Sequence, residues 1–103
     1  MINVIVKKDQ KIIKEIKIKG HSGYAEIGKD IVCASVSSMV TLAINVISEI
    51  NESGVEYTQD NKLIQIRKEI DNPIADKILN VLIKMLEELE IDYPKNIKIR
   101  NEE

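Results

Sequence analysis

A chain of 103 residues suits one compact domain, residues 1–103, which buries roughly two thirds of the surface its unfolded form exposes; an active site then belongs at an edge, on a loop or at a subunit boundary. Charges nearly balance at −2, with three Tyr and no Phe or Trp, so no basic stripe interleaved with aromatics announces direct nucleic-acid binding. No apolar run approaches a membrane span, Met1-Ile2-Asn3-Val4 does not open a secretion signal, and a lone cysteine cannot pair within the chain; the expected location is the cytoplasm.

The elements follow in chain order. Ile2 to Val6 is rich in β-branched residues and reads as a strand, and Lys7-Lys8-Asp9-Gln10 reads as a polar turn. Residues 11 to 19 read as a second strand. Ile12, Ile16 and Ile18 share its inner face, and Glu15, Lys17 and Lys19 its outer one. The lysines at 11, 14, 17 and 19 read as a solvated strand face. Residues 20 to 30 are irregular and hold three of the four glycines, Gly20, Gly23 and Gly28, which marks a loop of special geometry or mobility.

Residues 31 to 51 predict a helix capped by Asp30, with Val32, Val36, Met39, Val40, Ala43, Val46, Ile47 and Ile50 at helical spacing. Leu42 and Ile44 widen the stripe, which fits either a broad core face or a subunit contact. Glu52-Ser53-Gly54 ends this helix. Residues 55–58 and 63–68 predict two strands around an Asp60-Asn61 turn. Asn72-Pro73 opens a second helix, with Ile74, Ile78, Leu82, Met85, Leu86 and Leu89 as its buried stripe. Beyond Pro94, Ile97 and Ile99 mark a last strand. The order ββαββαβ predicts an α+β, two-layer sandwich: about five largely antiparallel strands with both helices on one face.

The sole His and the sole Cys, His21 and Cys33, stand at opposite ends of the Gly-rich loop. An ordinary thiol, with a pKa of about 8.5, is only a few per cent ionised near neutrality. A helix start favours an anion, and an imidazole folded back over the loop can serve the sulfur and protonate a leaving amine. Backbone N–H groups of Cys33 and Ala34 are candidate oxyanion donors. Asp30 can orient His21, cap the helix, or do both. Singly, Cys33 also fits a small buried hydrophobe and His21 a loop residue.

Other readings are weaker. Gly23 to Asp30 imitates a P-loop, but Asp30 stands where a hydroxyl is needed and Glu26 adds charge where phosphates would lie. One His and one Cys leave a zinc site short of ligands, so no metal and no cofactor are expected. Ser22, Ser35, Ser37 and Ser38 have no second His as base.

The run Gly20-His21-Ser22-Gly23-Tyr24-Ala25-Glu26-Ile27-Gly28-Lys29-Asp30-Ile31-Val32-Cys33-Ala34-Ser35-Val36-Ser37 resembles the ribosomal-processing cysteine protease family, Prp. That family carries a Gly-His pair, a Gly-rich loop, and Gly-x-Asp-x-Val-Cys-Ala leading into a helix with a Ser nearby. Ser22 and Ser35 stand where Ala is common. The resemblance also covers length and element order. It implies a cysteine endopeptidase that removes the N-terminal extension of a bacterial large-subunit ribosomal protein, number twenty-seven, through a Cys-His dyad of Cys33 and His21. It implies Asp30 as a supporting residue, a homodimer, a mobile loop over the site including Gly20, Ser22, Gly23 and Gly28, and an apolar groove for the substrate. The alternative is a non-catalytic dimeric protein that binds a ribosome-assembly partner.

Overall fold

The computed structural model describes residues 1–20, 30–50, 55–60, 63–68 and 72–102. Five strands form one sheet in the order β3-β4-β2-β1-β5. They are β1 Ile2–Asp9, β2 Ile12–Lys19, β3 Val55–Gln59, β4 Leu63–Lys68 and β5 Ile97–Glu102, with helices α1 Ile31–Ile50 and α2 Pro73–Asp92. The predicted order holds. Every pairing is antiparallel except β1 with β5, which is parallel, because the chain returns to that edge through α2.

Strand β1 outruns its predicted end. Lys7, Lys8 and Asp9 keep pairing with β2, and the turn is the tighter Gln10-Lys11. Both turn residues have positive φ, 52° and 70°, the conformation whose twist matches a two-residue hairpin. A register shift between Lys7 and Lys8 also moves one side chain. Strict alternation placed Ile12 inside, whereas the structure buries Ile13 completely, since a bulge reverses which residues face the core.

The core lies between the sheet and the helices. Val4, Val6, Ile16 and Ile66 of the sheet are almost wholly buried, as are Val32 and Val40 of α1 and Leu79 and Leu86 of α2. Each such side chain contributes about 1.5–3 kcal/mol of burial. In α1 the buried set is Val32, Val36, Val40, Ala43 and Ile47; Ile50, expected inside, is exposed. α1 is also long and apolar enough to cross a membrane by length and composition. That corrects the sequence expectation; here one face of the helix packs into the core.

α2 begins as predicted. Asn72 Oδ1 accepts the N–H groups of Ile74 and Ala75, each at 3.1 Å, and Pro73 takes the first helical position. Its buried stripe is Ala75, Leu79, Leu82, Ile83 and Leu86. Only Leu82 and Leu86 were expected there, and Ile74 and Met85 are exposed. The helix carries two adjoining apolar stripes, and periodicity alone does not say which one meets the sheet. A polar clasp sets that choice: buried Lys68 of β4 donates to Asp76 Oδ1 at 2.9 Å, and the Ile13 N–H donates to the same oxygen at 3.2 Å.

Candidate active site

Cys33 is held by the way α1 begins. Asp30 Oδ1 accepts the N–H groups of Val32 and Cys33, both at 3.0 Å, and the Ala34 N–H donates to the Asp30 carbonyl at 3.0 Å. Asp30 is thus the N-cap, as one of its two expected roles required. The same geometry bears on another expectation. The Cys33 and Ala34 N–H groups, proposed as oxyanion donors, are both engaged by Asp30. A capped helix gives its first donors to the cap, and Cys33 sits three residues past it, where the capping carboxylate bonds. Ser35 Oγ donates to the Ile31 carbonyl at 2.7 Å, so this hydroxyl belongs to the helix turn.

The Cys33 side chain is half-buried. It borders a hollow of about 250 Å³ at the end of the sheet where β1 begins and β2 ends. Ile2, Ile18 and Val36 form its apolar floor with Cys33. Leu63, Ile64 and the Gln59-Asp60 turn form one wall, and Ser37 stands one helical turn beyond Cys33. Gly20 completes the rim, with φ +91° and its Cα so close to Met1 that a Cβ would fall 2.4 Å from the Met1 carbonyl oxygen. No side chain fits there, and this fixes the last residue before His21 beside the Cys33 hollow.

His21, Ser22, Gly23 and Gly28 lie outside the described residues, as do the expected Glu52-Ser53-Gly54 stop and Asn61. The wall formed by β3 and β4 was not legible as part of a site. Its residues come from a polar turn and the strand after it, far along the chain, and reach Cys33 only because β4 pairs with β2. Ser37 carried a usable signal, since residues four apart share a helix face.

Comparison with known proteins places the chain in a family. The family model described as cysteine protease Prp matches residues 1–98. The ribosomal processing cysteine protease Prp of Staphylococcus aureus is 28% identical over 103 residues, spanning 96% of this chain and 97% of that protein. Its namesake from Mycoplasma genitalium is 28% identical over 86 residues, or 82% and 84% of the two chains. The crystal structure of the S. aureus ribosomal processing protease Prp with a covalently linked product peptide superposes with a TM-score of 0.92 at 26% identity, covering 99% of this chain and 100% of that one. The same S. aureus protease with a substrate peptide gives 0.86 at 25% identity with the same coverage. Matched from its first strand to its last, and with its cysteine at the mouth of the sheet-end hollow, the chain belongs to the cysteine protease Prp family.

Proposed function

We propose that this cysteine protease acts as an endopeptidase on the precursor of large-subunit ribosomal protein twenty-seven, in the cytoplasm, with Cys33 as nucleophile and His21 as its proton-transfer partner. The observation that carries the proposal is Cys33 bordering a half-apolar hollow whose rim includes Gly20, the residue joined to His21. The Cys33 sulfur attacks the scissile carbonyl carbon. The carbon–nitrogen bond breaks, and His21 gives its proton to the departing amine. His21 then takes a proton from water, whose oxygen attacks the thioester and frees Cys33. Asp30 caps the helix and, in this proposal, also orients His21. The apolar floor suits the apolar segment expected before the cut. That a relative holds a product peptide covalently supports an acyl-enzyme route.

The proposal includes a second copy of the chain as partner. Leu42 is 63% exposed and Val81 54%. They flank a hollow of about 490 Å³ between α1 and α2, where Lys77 is the only charged lining residue. A twofold contact through this face buries apolar surface with little charge to desolvate.

Iodoacetamide tests the nucleophile. We expect irreversible inactivation by alkylation at Cys33, slowed by substrate peptide. Alkylation no faster than that of free cysteine, and indifferent to substrate, contradicts the assignment.

A further inference from the structure

The sheet face turned away from the helices has an order that the linear sequence conceals. Three rows of paired residues cross it. The first runs Lys98, Asn3, Lys19, Leu63, and the second runs Arg100, Ile5, Lys17, Gln65, Thr58. The third runs Glu102, Lys7, Glu15, Arg67, Glu56. The third row alternates in sign and neutralises itself. Within it, burial acts to raise the Glu15 carboxyl, but the Gln65 hydrogen bond and the charges of Lys17 and Arg67 outweigh this and hold it below its ordinary range. Glu15 therefore stays ionised, with Arg67 at 3.5 Å and Lys17 at 3.6 Å.

The first two rows hold four cations and no carboxylate. Lys17 leans toward Glu15. Among the described residues, Lys19, Lys98 and Arg100 have no carboxylate within ion-pair distance, and all three are exposed. Neighbouring strands lie about 4.8 Å apart and alternate residues about 6.7 Å apart. The cations thus occupy a patch roughly 10 Å by 7 Å. The helical layer has the opposite sign: Glu49, Asp76, Glu87, Glu88, Glu90 and Asp92 against Lys77 and Lys84. The cationic rows also lie at the end of the sheet that holds the Cys33 hollow, where β2 ends beside the start of β1.

We propose that this open sheet face binds the phosphate backbone of RNA. A folded protein partner needs an apolar anchor, and the cationic rows offer only Ile5 and, at the β4 end beside the Cys33 hollow, Leu63, both half-buried. A phosphate polymer needs only opposed charge, since counterion release supplies sequence-independent affinity. Tyr57 belongs to the opposite face, paired with Ile66, so no aromatic in these rows stacks on bases, and contact is with backbone rather than sequence. Near-balanced charge and scarce aromatics set nucleic acid aside in the linear sequence; strand pairing brings Lys19 and Lys98, far apart along the chain, into one row.

The test is fluorescence anisotropy of a labelled RNA duplex titrated with the full-length protein. Three phosphate contacts predict affinity falling roughly twenty- to fortyfold between about 50 and about 200 mM salt. Lys19→Gln/Lys98→Gln/Arg100→Gln is expected to weaken binding at least tenfold while leaving short-peptide cleavage unchanged. Lys77→Gln/Lys84→Gln, on the helical layer, should bind RNA as the wild type does. No binding at low salt overturns the proposal. So does equal weakening by both variants, which means net charge alone acts. Equal affinity for a poly-glutamate peptide also overturns it, by assigning the face to acidic protein.

Discussion

Asp30→Ala removes the oxygen that the Val32 and Cys33 N–H groups share, each at 3.0 Å. Loss of an N-cap side chain costs about 0.5–2 kcal/mol. One oxygen here serves two part-buried donors, which puts the expectation in the upper half of that range, about 1–2 kcal/mol. For a domain of this size that is a fall in Tm of roughly 5–12 °C. Asp30→Asn keeps an acceptor in the same place, and Asn caps about as well as Asp. It loses only the charge near the helix start, about 0.3–1 kcal/mol. Urea unfolding of the three proteins therefore ranks wild type and Asn close together and Ala clearly below. Cleavage of a substrate peptide reads the second role. If the carboxylate also orients His21, Asp30→Asn stays folded but loses at least about tenfold in kcat, near 1.4 kcal/mol. Asn as destabilising as Ala refutes the cap reasoning, and Asn with full activity refutes the orienting role.

Three further outcomes follow from the packing. Asp76→Ala strands the ammonium of Lys68, whose side chain is only 1% exposed, and should cost about 3–5 kcal/mol; Lys68→Met/Asp76→Leu should recover most of that in urea melts, and a single-variant loss below about 1 kcal/mol contradicts the clasp. Gly20→Ala pushes a Cβ against the Met1 carbonyl at φ +91°, so a loss of at least about 2 kcal/mol is expected in thermal unfolding; an unchanged Tm means the rim is laxer than described. Leu42→Glu should turn a dimer into a monomer by light scattering, and an unchanged mass places the subunit contact elsewhere.

Much of the fold was legible because its signals are local. Asp30 and Asn72-Pro73 announce the helix starts, and alternation of Ile with Lys or Glu announces the second strand. What failed depended on contacts between elements. The bulge at Lys7/Lys8 exchanged Ile13 for Ile12. The second apolar stripe of α2 could not be told from the first until the sheet and the Lys68–Asp76 clasp chose between them. Cys33 was legible as the sole thiol at a helix start, and Asp30 as its cap. That Asp30 also takes the Cys33 and Ala34 N–H groups was not legible, because the cap's own demand on the first N–H groups was not counted. Leu63, Ile64 and the Gln59-Asp60 turn were invisible because only the pairing of β4 with β2 carries them to the sulfur.

Mass spectrometry of the purified precursor of ribosomal protein twenty-seven, incubated with this protein, tests the central claim most directly. Wild type is expected to yield the shortened protein and one released N-terminal peptide, while Cys33→Ala and His21→Ala, folded as the wild type is, leave the precursor intact. Release of the same peptide at the wild-type rate by Cys33→Ala contradicts the account.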